Sequence, residues 1–143
     1  MSSGVLRSVA IAAAIAAAAT LLTGCTAGSV PTLERTAEPA DALLSNQTGY
    51  NGFDPDTARH IASRAGVEYY LAKQSGDPVN GVCLVATTAT EPLQWASSCS
   101  AGDWFTLEWA PGKVNAEFFR HGVTADEVKP GWTQVSENVI VER

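Results

Sequence analysis

The sequence predicts a mainly β domain: a small antiparallel sheet, curled or sandwich-like, with one or two short helical turns and one disulfide. Three observations carry this. From residue 67 onward, short runs rich in Val, Tyr, Phe and Trp recur between Gly, Pro and Asn punctuation. Residues 104–109 alternate apolar and polar, the period of a strand with one face buried. Two cysteines, Cys83 and Cys99, fall within two of these runs.

The elements follow in chain order. Residues 40–44 suit a short helical turn, and 46–51 a turn, with Gly49 and Asn51-Gly52 as breakers. The stretch 54–66 admits two readings. Asp54-Pro55 can cap a helix with Ala58, Ile61, Ala62 and Ala65 on one face and Gly66 at its end. Alternatively, 58–63 is a strand that turns at Arg64-Ala65-Gly66 and pairs with the next segment. Local pattern favours the helix. Residues 67–73 are rich in strand formers, and Asp77-Pro78 with Asn80-Gly81 suggests a hairpin loop. The compact apolar run 82–87 suits a central strand. Residues 94–100 bring Cys99 back beside it. In 104–110, Phe105, Leu107 and Trp109 take one face and Trp104, Thr106 and Glu108 the other. Pro111-Gly112 is a turn, and 114–119 and 138–141 are further strands. No internal repeat or second domain is discernible.

The N-terminus has a different character. One positive charge, Arg7, precedes an apolar run over 9–22 that is interrupted only by Thr20. Spanning a bilayer core takes about 20 apolar residues, so this run is short for a span but suits a signal peptide. Leu22-Thr23-Gly24-Cys25 follows and resembles a bacterial lipobox. In that family a diacylglycerol is attached to the cysteine thiol, and the signal peptidase cuts before it. The resemblance implies that residues 1–24 are a lipoprotein signal peptide. Cys25 would be the lipidated start of the mature chain, held on the extracellular face of the cell membrane. An ordinary secretory signal and an uncleaved helical anchor are the competing readings, and both place the remainder outside the cytoplasm. Residues 25–37, mostly small or polar with Pro31, read as a flexible tether. That leaves 38–143 as a single extracytoplasmic domain.

Composition narrows the function classes. The formal net charge is −6, and losing Arg7 with the leader would make it −7. An acidic chain without a basic run argues against nucleic acid and against electrostatic attraction to anionic lipids. All the aromatic residues lie after the leader, enough for one small core. With Cys25 assigned to lipid, Cys83 and Cys99 form an even pair in an oxidising compartment, which predicts a disulfide. The alternative is a metal site, but with no Cys-x-x-Cys and no neighbouring His they make a poor zinc set.

Further segments carry a second resemblance: 54–59 (Asp-Pro-Asp-Thr-Ala-Arg), 66–72, 81–85, Ser98-Cys99 and Gly131-Trp132. Together they resemble small lipoproteins and membrane-anchored proteins of high-GC Gram-positive bacteria (Actinobacteria). That resemblance implies a strand entering a hairpin at the first segment and a paired Cys83 and Cys99. It brings no activity with it.

Candidate chemistry is sparse. A Ser or Cys nucleophile needs a base within hydrogen-bond reach, and the histidines are His60 and His121 alone. Ser97, Ser98 and Ser100 surround Cys99 without an evident activator, and there is no Gly-x-Ser-x-Gly elbow. Asp103 and Glu108, five positions apart, would point to opposite faces of a strand. Asp54/Asp56 and Asp126-Glu127 suit turns or helix starts, and no calcium loop follows Asp54. No catalytic residue, metal set or cofactor is assigned. Trp104 and Tyr70 are the candidate binding patch, provided that their face meets water; a sandwich covered on both faces would make Trp104 core. The expectation is a non-enzymatic binding or interaction module of the cell envelope, its partner an envelope protein or wall glycan. A small enzyme with an unrecognised site, or an inhibitor of a secreted lytic enzyme, is the alternative.

Overall fold

A computed structural model describes residues 28–43, 50–90 and 92–142. The expected signal peptide, Cys25 and residues 46–49 of the expected turn lie outside the described residues. The described chain forms two four-stranded antiparallel sheets. Sheet one is β1 (Arg59–Arg64), β2 (Val67–Gln74), β3 (Asp77–Thr88) and β4 (Trp95–Ser100), in that spatial order. Sheet two contains β5 (Trp104–Trp109), β6 (Val114–Phe119), β7 (Trp132–Ser136) and β8 (Val139–Glu142), ordered β5-β6-β8-β7. The mainly β expectation holds, with few short helical turns and one disulfide.

The ambiguous stretch resolves as a strand. Asp54 does cap a helical turn, accepting from the Asp56 N–H at 3.0 Å. That turn ends after Pro55–Thr57, and β1 begins at Arg59. Ala65 and Gly66 both take positive φ, 50° and 77°, between the paired Arg64 and Val67. Such a two-residue turn matches the right-handed twist of the strands it joins, so hairpin pairing overrides the local helical periodicity. In the next hairpin the turn sits at Ser75-Gly76. The register jumps from Lys73↔Val82 to Gln74↔Asp77, leaving residues 78–81 looped out of the ladder. The expected Pro and Gly punctuation therefore marks an irregularity inside β3. Strand β7 has no counterpart in the sequence reading; its side chains are half-buried to exposed and lack a clean period.

Burial divides the two sheets. Tyr69, Leu71, Val82, Leu84 and Ala86 face Phe105, Leu107, Ala116, Phe118, Val139 and Val141 across the inter-sheet core. On the other side of sheet one, Tyr70, Ala72, Cys83 and Val85 lie under Leu43, Phe53 and Ala58. This second cluster explains the unbroken apolar runs in β2 and β3, since both faces are buried.

The tether reading needs correction. Val30 and Leu33 are buried in the inter-sheet core, and α1 (Pro31–Glu34) is a single helical turn. They are the two bulky apolar side chains in a stretch of small and polar residues, and one turn of helix places both on one side. Asp41 then fastens this segment to β1. Its carboxylate accepts from both terminal nitrogens of Arg35 at 2.6 and 2.7 Å, and from the Glu38 and His60 N–H groups at 2.7 Å each. Burial pushes the Asp41 carboxyl upward, but Arg35 and the two N–H donors outweigh it and hold it at about 2.

Candidate functional site

Cys83 and Cys99 stand directly opposite one another on β3 and β4, with Cα atoms 4.0 Å apart, and are disulfide-bonded. Their sulfurs lie 3.6 and 3.7 Å from the Gly52 carbonyl oxygen, beneath an aromatic cluster of Tyr50, Phe53 and Trp95. This pair is structural. Closing its loop contributes roughly 3 kcal/mol in the chain-entropy account.

The expected patch of Trp104 with Tyr70 does not form. Tyr70 is 3% exposed, on the covered outer face of sheet one, edge-on to the His60 ring. Burial raises its hydroxyl pKa. Trp104 lies on sheet two and is 54% exposed. The two sheets turn different faces to solvent, so residues with similar local patterns part company.

Trp104 instead belongs to a recess of about 360 Å³ with Asp103, Phe119, His121, Gly122 and Glu127. The fold builds this recess at the start of β5. Trp104 pairs with Phe119 across the β5–β6 ladder, and the Arg120 N–H extends it to the Asp103 carbonyl at 2.8 Å. Asn138 secures the end of β6, its amide donating to the Phe119 and Arg120 carbonyls at 2.8 and 3.1 Å. Gly122, with φ of 88°, lets the chain turn back, and its N–H bonds the Phe119 carbonyl at 3.2 Å. Glu127 caps the short turn Ala125–Glu127, accepting from the Thr124 N–H at 2.7 Å. The His121 imidazole lies 3.3 Å from Asp103, with both side chains mostly exposed. An aromatic floor with a carboxylate rim can hold a ring or a cationic group; no Ser, Thr, Cys or Lys lines it.

Farther along the same outer face, the 120–131 connection reaches back over sheet two. Lys129 pairs with Glu117, which is 5% exposed, and its ammonium stands 4.9 Å from the Trp132 ring centre. Thus the molecule already contains one aromatic-and-carboxylate seat filled by its own cation.

A second cluster was not legible in the sequence. His60 Nε2 lies 2.6 Å from Glu68 Oε2, and the Ser63 hydroxyl donates to the same Glu68 oxygen. The three residue types are those of a hydrolytic triad, but the wiring differs. The hydroxyl proton points at the carboxylate, while His60 Nε2 stands 3.3 Å from Ser63 Oγ and is the same nitrogen that contacts Glu68. An activated nucleophile needs its proton directed to a base that the acid supports from the far side. The cluster therefore ties β1 to β2. His121 is distant from it in the fold, on the Trp104 recess. Asp103 and Glu108 sit at opposite ends of β5, and Asp54 and Glu127 serve as turn caps.

A recess of about 490 Å³ lies between Glu38–Leu43 and Tyr50–Ala58. Its buried charge, Asp41, is already saturated by the bonds above. Among the described residues, no group of three or more His, Cys, Asp or Glu is placed to hold a metal ion. No helix among them is long and apolar enough to cross a membrane. Comparison with protein-family models, with curated proteins and with solved structures finds no match to this chain.

Proposed function

We propose that this chain is an extracytoplasmic lipoprotein, anchored through lipid on Cys25, that serves as a non-enzymatic binding module of the cell envelope. The Trp104 recess is its contact site. The lipobox-like Leu22-Thr23-Gly24-Cys25 after a short apolar run supports the anchoring. The observation that carries the binding reading is Trp104 itself: a large aromatic, more than half exposed, held rigidly over a recess. Exposed indoles are costly to leave in water and are enriched where surfaces meet. Envelope proteins, wall glycans and lipid headgroups all offer groups that pack against such a ring.

Two experiments test this. Labelled palmitate should enter the wild-type protein and fail to enter Cys25→Ala; equal labelling of both sinks the anchoring. A photoreactive side chain at position 104 in living cells should form an adduct with an envelope component. The control position is Glu108, on the same face at the far end of β5. Equal adduct yield at both positions removes the recess as the contact site.

A further inference from the structure

We infer that the end of the sandwich bearing Trp104 and Val79 is seated in the headgroup layer of the membrane. This rests on the proposed lipid at Cys25. Val79 at 80% and Trp104 at 54% are the exposed large hydrophobic side chains of the described residues. Val79 lines a recess together with Gly28, where the described chain begins. Arg120, itself 4% exposed, joins these points. Its Nη1 donates to the Gly28 carbonyl at 3.3 Å, and its Nη2 to the carbonyl of Asn80, next to Val79, at 2.6 Å. Its Nε donates at 3.2 Å to the carbonyl of Gly102, two residues before Trp104. A Cβ placed on Gly28 would stand 3.7 Å from the ring of His121, which lines the Trp104 recess.

Chain length then fixes the geometry. Cys25 is three residues from Gly28, and three residues span at most about 11 Å. A lipid on Cys25 would then attach within that reach of Gly28, at the end of the domain that bears Val79 and Trp104. Tryptophan favours the interface, where its ring is apolar and its N–H stays wet. Apolar contacts next to a lipid chain add to its anchoring. Because Val30 is held in the core, the domain cannot swing away on a long tether.

Charge selects the headgroup. Two carboxylates, Asp103 and Glu127, border the Trp104 recess against one basic side chain, His121, which lies 3.3 Å from Asp103; no lysine or arginine lines it. Anionic lipid is repelled there, whereas the ammonium of an amine-bearing zwitterionic headgroup can lie over the indole between the carboxylates. Lys129 already lies this way against Trp132 and Glu117 in the same sheet.

The test uses the full-length lipidated protein in phosphatidylethanolamine–phosphatidylcholine vesicles whose acyl chains are brominated near the headgroup. Comparing wild type with Trp104→Phe isolates one indole among the four. Bromine should quench an emission component that Trp104→Phe lacks. That quenching should weaken with Val79→Asp and in vesicles of phosphatidylglycerol alone. Asp103→Asn with Glu127→Gln should narrow the difference between the two lipids. If the protein floats with vesicles but Trp104 is unquenched, the orientation is overturned while the anchoring stands. If Trp104 responds to a soluble basic peptide and not to bromolipid, the recess is a protein-docking site and the membrane seat is overturned. If the protein does not float with vesicles, the anchoring itself fails, and this inference with it.

Discussion

The two sheets have equal numbers of strands and share one core, yet they meet their surroundings differently. Sheet one is buried on both faces, by sheet two on one side and by Leu43, Phe53 and Ala58 on the other. Sheet two is buried on its inner face and, at Glu117 and Ile140, under the 120–131 connection on its outer one, but the outer face of β5 stays open, with Trp104 and Glu108 exposed and Thr106 half-buried. A sheet enclosed on both sides can hold a disulfide and packed aromatics but has no face to offer a partner. A sheet enclosed on one side can position exposed side chains on a rigid backbone, as a binding site requires. The exposed Trp104 accordingly falls on sheet two, joined only by Val79 from the looped-out part of β3, and the stability-determining features fall on sheet one.

Substitutions can break or sharpen this contrast. Phe53→Ala, at the centre of the segment covering sheet one, should cost about 3–5 kcal/mol, read from the chemical denaturation midpoint. A cost near zero would mean that the outer face of sheet one is effectively open, and the contrast would collapse. Removing the disulfide with Cys83→Ala and Cys99→Ala should cost roughly 3 kcal/mol, and reductant should lower the midpoint of the wild type alone.

Asp41 gives a pH signature to the segment that leads from α1 to β1. Its carboxyl stands at about 2 in the fold against an ordinary 3.8. A depressed carboxylate stabilises the fold fully above its unfolded pKa, and that contribution disappears as pH falls through the folded value. The window is therefore from about pH 4 down to about pH 2. The size is about 1–2 kcal/mol, allowing for screening at the partly exposed Arg35. Asp41→Asn should flatten this part of the acid-denaturation curve; an unchanged curve would remove the clamp. The smallest effect belongs to Thr106→Ala on the open face of β5, within about 0.5 kcal/mol. A cost comparable to that of Phe53→Ala would show that this face is covered in solution.

Particular residues show how much of this was readable. Alternation over 104–109 placed Trp104 opposite Phe105, Leu107 and Trp109, and the exposure follows that pattern. The apolar run at 82–87 marked a strand buried on both faces. Tyr70 was misleading because its outward position in β2 is local, whereas the segment that covers it arrives from residues 41–58. Phe119, His121 and Glu127 carried no joint signal: they meet Trp104 only through strand pairing and the turn at Gly122. The Ser63–His60–Glu68 cluster likewise depends on the β1–β2 register, which local periodicity at 54–66 argued against.

By itself, the sequence determined the strand-rich composition, the one-sided pattern of β5, the pairing of the two cysteines and the apolar run over 9–22 that precedes Cys25. Those properties depend on side-chain type and short-range period, which need no knowledge of distant contacts. Tertiary structure alone decided that 59–64 is a strand, that Val30 and Leu33 belong to the core, that Tyr70 is covered and that Trp104 overlies a recess beside Gly28. Each of these depends on which surface a distant segment occupies, and burial of that surface outweighs local preferences of a few tenths to about 1 kcal/mol per residue.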